Sequence, residues 1–440
     1  MIYFLYSLVL GAGLLLSLPY WLYQIARHGK YRKGFAARMG KVPPHLLAAS
    51  SARRTIWIHA VSVGEVLAVS GLIDHMRRSL PEHRIVVSTT TDTGQELACK
   101  RFGEQNVFYF PMDFASAIRP YLQALKPELV VLAETEFWPN FLRLAHTSGA
   151  KIAVVNARIS DRSWPNYRRF RWALRIMLAH IDLLLAQTEE DGQRLESIGA
   201  SPERVYVVGN LKFDSTPPST PPPILESLRR ALAAEAAGPV IVCGSTVEDE
   251  EPALLKAFEN LRVSHPRAVM LLAPRHPERF EVVAKLLKDL TMPFSRRSLW
   301  AGEPLAGGVL LVDTIGELSA LYALGDVAFV GGSLAPRGGH NIIEPAQHGV
   351  AIVVGNHYEN FRDIVNLFLA RDAVRVVTLA ELPLTFMHLL DHDAERRALG
   401  QRAAETMRTQ TGATSRTLSA LAGLLHDASD TVSAQAAHTD

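Results

Sequence analysis

Apolar and polar positions alternate along this chain on two different scales. Short runs of β-branched and aliphatic residues recur at intervals, and longer amphipathic stretches separate most of them. In the first half the short runs are "TIWIHAV", "RIVVSTT", "NVFYFP", "ELVVLAE", "KIAVVNA", "LLLAQ" and "RVYVVG". In the second half they are "PVIVCGS", "AVMLLAP", "GVLLVD", "DVAFVGGS" and "GVAIVVG". Strand-length runs alternating with helical stretches predict βαβ units and parallel sheets. The two series are separated by "STPPSTPPP", Ser215 to Pro223, with five prolines in nine residues. Such a segment propagates neither helix nor sheet and reads as a semi-rigid extended linker. The pattern therefore predicts an α/β chain of two Rossmann-like domains, residues 24–214 and 224–425, joined by the linker 215–223. The last residues, 426–440, read as a frayed tail.

Residues 1–23, "MIYFLYSLVLGAGLLLSLPYWLY", depart from this rhythm because they carry no charge. Roughly 20 helical residues cross a bilayer core, so the stretch reads as a membrane anchor. It has no basic segment ahead and no small-residue cleavage site behind, which argues against a cleaved signal peptide. Tyr20, Trp21 and Tyr23 stand where an interfacial aromatic belt would, followed by Arg27, Lys30, Arg32, Lys33, Arg38 and Lys41. That basic flank places the main body on the cytoplasmic side. Pro19 and two glycines weaken a span; a helix lying in one leaflet and a buried core helix stay open as alternatives.

Composition narrows the picture further. A chain of 440 residues is too long for one ordinary core, and 48% hydrophobic with 20% charged residues excludes extensive disorder. The net charge of +2 gives no sign of a nucleic-acid partner. Cys99 and Cys243 lack metal or redox spacing, and the sixteen histidines show no HExxH, so neither a disulfide framework nor a metal site is expected.

In open parallel sheets ligands bind beyond the carboxyl ends of the strands, so residues that follow the apolar runs carry the candidate chemistry. Glu65 in "IHAVSVGEV" is the first acidic residue of the chain and stands at a helix start, where a first-turn carboxylate is also good structural chemistry. Glu134 and Glu136 follow "LVVL". Asn210, Lys212 and Asp214 end "VVGNLKFD", just ahead of the linker. In the second half, Arg275, His276 and Arg279 follow "LLAP", and the guanidinium of Arg275 suits a phosphate. Gly316 and Glu317 open a helix where free N–H groups accept anions, although Thr314 with Glu317 also reads as a capping box. The segment Phe329 to Gly355 is the densest, with five glycines between Gly331 and Gly349 suggesting close backbone contact with a ligand, and Glu344 placed to accept from ribose hydroxyls. It contains no dinucleotide or P-loop signature. The acidic run "TVEDEE" reads as a capping box from Thr246 to Asp249. "DRSWPNYRRFRWALR", with Arg168, Arg169, Arg171 and Arg175 among Trp164, Phe170 and Trp172, fits a membrane-facing or anion-accepting surface as well as a solvated helix face.

Taken in order, "SVGE", "AETEFWPN", "NARIS", "VVGNLKFD", "PRHPER", "IGEL" and "GGSLAPRGGHNIIEPA" resemble the motifs of the Kdo transferases. These enzymes move 3-deoxy-D-manno-oct-2-ulosonic acid (Kdo) from CMP-Kdo onto the lipid A precursor, lipid IVA, in lipopolysaccharide synthesis. The resemblance runs from the anchor to about residue 410. It implies a GT-B glycosyltransferase, two Rossmann-like domains with the active site in the cleft between them, the acceptor on the N-terminal side and the nucleotide on the C-terminal side. By the same resemblance Glu65 is the general base, and Glu136 and Lys212 stabilise the transition state. CMP contacts fall on Pro274, Arg275, Ile315, Gly316, Glu317, Asn341, Ile342, Ile343 and Glu344.

The implied enzyme is inverting and needs no metal and no cofactor, since the leaving group is a phosphate monoester that cations and backbone N–H groups can stabilise. Its expected partners are CMP-Kdo, lipid IVA and the anionic lipids of the cell inner membrane, attracted by the acid-free basic segment 27–54; nothing points to a protein partner. Two other readings are compatible with the residues alone: a GT-B transferase using a UDP-sugar on a lipid acceptor, and a non-catalytic, membrane-tethered nucleotide-binding protein. The number of Kdo units transferred is not encoded in these motifs.

Overall fold

The computed structural model describes residues 2–28, 34–47, 54–161, 163–214 and 222–436; the side chains of 18–28 and 427–436 lie outside that description. The chain divides into two compact units, 1–215 with 411–440, and 216–410.

The first unit is built on a seven-stranded parallel sheet in the order β3-β2-β1-β4-β5-β6-β7. Its strands are β1 (Arg54–His59), β2 (His83–Thr89), β3 (Val107–Tyr109), β4 (Pro127–Ala133), β5 (Lys151–Ala157), β6 (Leu183–Ala186) and β7 (Val205–Val207). Alternate residues of one strand enter opposite layers. Ile56, Ile58, Leu129 and Val131 face one apolar cluster, and Trp57, Val130 and Leu132 face the other. Both faces are covered by helices, which is why these strands read as continuous apolar runs.

The second unit repeats the plan with a sheet ordered β10-β11-β9-β8-β12-β13-β14, all parallel where paired. Here the strands are β8 (Val240–Thr246), β9 (Val269–Pro274), β10 (Phe294–Arg296), β11 (Val309–Leu311), β12 (Val327–Val330), β13 (Ala351–Gly355) and β14 (Arg375–Val377). Ile241, Cys243, Met270 and Leu272 line one layer; Val240, Val242, Val269 and Leu271 line the other.

All twelve apolar runs form strands, and the structure adds β10 and β14, which the sequence pattern does not mark. Each is a three-residue sheet edge, "FSR" and "RVV", and an edge strand packed on one side needs no continuous apolar run.

The expected limit of the second domain at residue 425 is corrected. The helix Ala413–Ala436 belongs to the first unit, where Ala413, Leu421 and Leu425 pack with Val66, Val69 and Leu72. The Asp214 carboxylate accepts the N–H groups of Gly412 at 2.7 Å and Thr414 at 2.5 Å, which fixes the start of that helix. The helix also runs through most of the stretch expected as a frayed tail. Of the linker, residues 215–221 lie outside the described residues.

The N-terminal stretch forms the helix Ile2–His28. Among the described residues no helix is long and apolar enough to cross a membrane. The expected aromatic belt, Tyr20, Trp21 and Tyr23, and the basic residues from Arg27 to Lys33 lie outside the described side chains.

Candidate active site

The strand order of the first sheet reverses between β1 and β4, and this is where parallel sheets leave a crevice for ligands. Glu65 follows β1 and Glu134 follows β4, so both carboxylates stand at the reversal. Glu65 lies in the first turn of the helix Val63–Ser79, and its side chain turns back over the loop it came from. Its Oε2 accepts the backbone N–H of Val61 at 2.7 Å, and its Oε1 accepts the Ser62 hydroxyl at 2.9 Å. The helix-start role is thereby real, and it coexists with an unusual titration. Glu65 is only 8% exposed, and burial raises its pKa to about 7 against the two hydrogen bonds, with the charges of Glu134 and Glu136 adding to the rise.

Glu134 sits in the left-handed region at φ 57°, with its N–H bonded to the Val155 carbonyl at 2.9 Å. A non-glycine residue there is strained, and the strain turns the chain sharply out of β4. Burial, then the neighbouring Glu134 charge, hold Glu136 above the ordinary carboxylate range.

Lys212 reaches the same place from the turn that follows β7, the edge strand of the sheet. Its Nζ lies 3.4 Å from Glu134 Oε1. A buried ladder of amides sets its backbone: Asn210 Nδ2 donates to Gln187 Oε1 at 2.8 Å, Gln187 Nε2 donates to the Asn156 carbonyl at 2.9 Å, and Asn156 Oδ1 accepts the Leu211 N–H at 3.0 Å. Lys212 N–H then bonds Asn210 Oδ1 at 2.9 Å. The structure thus gathers Glu65, Glu136 and Lys212, with Glu134 as the residue that links them.

In the second unit the expected nucleotide residues follow the carboxyl ends of β9, β11 and β12, all on one edge of the sheet. Arg275 and Glu344 influence each other electrostatically there. Burial raises the Glu344 carboxyl above its usual range, and the Asn341 hydrogen bond and the Arg275 charge oppose the rise. Asn341 Nδ2 donates to Glu344 Oε1 at 3.4 Å. Ile342 and Ile343 are fully buried, whereas Ile315 is exposed. Gly316 has φ 90° and leads into a helix of only four residues, Leu318–Leu321. The capping box expected from Thr314 does not form on that helix. Instead the Thr314 hydroxyl donates to the Glu317 carboxylate, which also pairs with Arg297 at 2.6 Å.

Three features were missed or misread in the sequence. First, the Thr246–Asp249 cap within "TVEDEE" is corrected, because the helix there begins at Glu251 without a side-chain cap. Glu250 is fully buried, and its carboxylate accepts the N–H groups of Gly332, Ser333 and Leu334, each at 2.8 Å. Glu251, also buried, pairs with Arg279 at 3.0 Å, so Arg279 is tied inward.

Second, Gly331 is required by the protein itself: a Cβ there would lie 2.5 Å from the Ser245 carbonyl and 2.6 Å from Thr246 Cα. Third, His340 is held neutral, with its pKa lowered to about 4 by burial and by Arg275 and His276, and its Nε2 has no partner among the described residues.

Sequence comparison gives this arrangement its context. Residues 33–215 match the family described as 3-Deoxy-D-manno-octulosonic-acid transferase (kdotransferase). The 3-deoxy-D-manno-octulosonic acid transferase of Bordetella pertussis is 36% identical over 417 residues, 91% of this chain and 94% of that one. Its counterpart in Haemophilus influenzae is 33% identical over 400 residues, covering 89% and 91%. Among solved structures, a glycosyltransferase from Rickettsia africae aligns with a TM-score of 0.54 at 15% identity, over 86% of this chain and 99% of that one, and so shares its two-unit α/β fold. About a third of the residues are kept across nine-tenths of both chains, and the chain belongs to the Kdo transferase family of glycosyltransferases.

Proposed function

We propose that this protein transfers Kdo from CMP-Kdo to a hydroxyl of lipid IVA in lipopolysaccharide synthesis, with inversion and by general-base catalysis. The observation that carries the reading is the buried Glu65 carboxylate, held by the Val61 N–H and the Ser62 hydroxyl at the reversal point of the first sheet, where burial pushes its pKa up to about 7. A sugar hydroxyl is a poor nucleophile, and a base of matched pKa contributes roughly 10² to 10⁴ in rate. Glu65 accepts the hydroxyl proton as the acceptor oxygen bonds to the anomeric carbon and the bond from that carbon to the CMP phosphate oxygen breaks. Lys212 and Glu136 balance the charge that develops during this step.

In the second unit Arg275 takes the phosphate charge of departing CMP, Asn341 and Glu344 hold the ribose, and Gly316 with its neighbours Ile315 and Glu317 offers backbone to the nucleotide. Pro274, Ile342 and Ile343 shape the site from the buried side. No metal or cofactor is assigned a step. The N-terminal helix anchors the protein at the cytoplasmic face of the inner membrane, where the lipid acceptor resides and anionic lipids attract the basic segment.

Mass spectrometry of lipid IVA incubated with the purified protein and CMP-Kdo tests the reading. The expected product is lipid carrying one or more Kdo residues. Unmodified lipid, in an assay where a known Kdo transferase works, overturns it.

A further inference from the structure

The N-terminal helix Ile2–His28 has two unlike sides. Tyr3, Tyr6 and Ser7 share one face and bind the first unit. Tyr3 Oη lies 2.7 Å from His180 Nε2, and Arg143 lies over the Tyr3 ring at 4.8 Å. Tyr6 hydrogen-bonds the buried Asp113, and Asn140 Nδ2 donates to Ser7 Oγ at 3.0 Å. Phe4, Leu5, Leu8, Val9, Leu15 and Leu16 point away, exposed by 57 to 84%. Spacings of four and seven put them on one stripe.

The far end of the helix is bound to the same unit by covalent reach. His28 precedes Gly34 by six residues, which span at most about 20 Å. Gly34 packs against the Tyr109 ring so closely that a Cβ would lie 2.1 Å from it, and Arg38 four residues later donates to the Thr90 carbonyl. A 27-residue helix is about 40 Å long and a hydrocarbon core about 30 Å thick. With its first turns hydrogen-bonded to one globular unit and its last residue within about 20 Å of that unit, the helix cannot place its ends on opposite faces of a bilayer.

A second element continues the surface. The helix Arg171–Leu178 ends two residues before His180, the residue that holds Tyr3. Leu174 and Leu178 are buried, while Phe170, Trp172 and Ile176 are exposed alongside Arg168, Arg169, Arg171 and Arg175. None of these four arginines has an acidic partner among the described residues, whereas Arg194 nearby has two. Exposed aromatic and aliphatic side chains beside unpaired arginines fit the headgroup zone of an anionic bilayer, with the aliphatic parts in the acyl boundary and the guanidinium groups at lipid phosphates.

We propose that the N-terminal helix is a monotopic anchor, lying in one leaflet with its Phe4-to-Leu16 stripe in the acyl chains, and that Trp172, Ile176, Arg171 and Arg175 form a second contact with the same anionic leaflet. This rests on the anchor reading of the helix given above. It replaces the span with a re-usable docking face, and it brings the bilayer to Asn140, the last residue of "AETEFWPN".

Protease treatment of inside-out inner-membrane vesicles bearing the full chain with an epitope ahead of Met1 tests the topology. The expected result is loss of the epitope together with the globular units, without detergent. An epitope that survives until detergent is added shows a span and overturns the proposal while leaving the anchor intact. Recovery of the full chain in the soluble fraction overturns the anchor reading itself. Binding of the purified chain to phosphatidylcholine liposomes with and without phosphatidylglycerol tests the second contact. Arg171→Gln with Arg175→Gln is expected to weaken binding to the anionic liposomes by roughly five-fold per charge removed and to leave the neutral ones unaffected. Unchanged binding to anionic liposomes overturns the second contact.

Discussion

Glu65 Oε2 accepts the N–H of Val61 at 2.7 Å, so the carboxylate is gripped by the loop that leads into its own helix. Its orientation is then set by the backbone of Val61 and the hydroxyl of Ser62, and its charge by what buries it. Glu65→Gln keeps the shape and removes the proton acceptor. Turnover is expected to fall by roughly 10² to 10⁴ with the melting profile retained, measured by lipid product formation. Loss of less than ten-fold would assign the base elsewhere.

The same burial predicts a pH dependence. With its pKa raised to about 7, Glu65 is the active carboxylate only above neutrality, so kcat/KM rises with pH to a plateau with a midpoint near 7. Glu134→Gln removes a neighbouring negative charge and is expected to move that midpoint downward. A midpoint that stays in place would mean that Glu134 does not act on Glu65.

A raised carboxyl pKa also has a stability consequence. The protonated form is favoured in the folded state, so its contribution is complete below the unfolded value near 4.5 and is lost as pH rises through about 7. Glu65→Gln is therefore expected to stabilise the fold above pH 7, by on the order of 1–3 kcal/mol, and to converge with the parent at acid pH. Denaturant titrations at the two pH extremes measure the difference. Equal stabilities at both would show that the carboxylate carries no cost of burial.

The parts of this molecule that were legible in the sequence are those whose signal is local. Strand-length apolar runs marked β1 to β9 and β11 to β13, because strands covered on both faces are apolar at every position. Glu65, Glu134 and Arg275 were visible because each stands at or within a few residues of the end of such a run. What escaped depends on partners far along the chain. Glu250 meets Gly332 across 82 residues, and nothing in "TVEDEE" separates a helix-start acid from a buried loop anchor. The docking of Ala413–Ala436 on the first unit, and the polar strip of Tyr3, Tyr6 and Ser7 inside an apolar run, are likewise choices of tertiary partner. Edge strands β10 and β14 were missed for a different reason, since one covered face leaves room for serine and arginine.

Glu250 yields the next prediction. Three backbone N–H groups of the glycine loop converge on its carboxylate, so Glu250→Ala leaves buried donors unsatisfied and releases the loop that precedes His340 and Asn341. The expected outcome is a loss of stability on the order of 3–5 kcal/mol and a rise in the KM for the nucleotide-sugar donor. Glu250→Gln, which keeps one acceptor oxygen, is expected to show the KM change with a smaller stability loss. A lowered melting temperature with an unchanged KM would confine Glu250 to a structural role.

Arg279 and Glu251 separate a structural pair from the ligand loop in which Arg279 first stood. Glu251 has no exposed side-chain surface, and both guanidinium contacts, 3.1 Å from Nε and 3.0 Å from Nη2, converge on its two oxygens. Removing one partner strands the other: Arg279→Met is expected to destabilise by roughly 3–5 kcal/mol, because an unpaired carboxylate stays buried. Adding Glu251→Met removes that penalty, so the double variant is expected to recover most of the loss, with donor KM close to the parent value. Denaturant unfolding of the single and double variants decides it, and a double variant no more stable than Arg279→Met would return Arg279 to the nucleotide site.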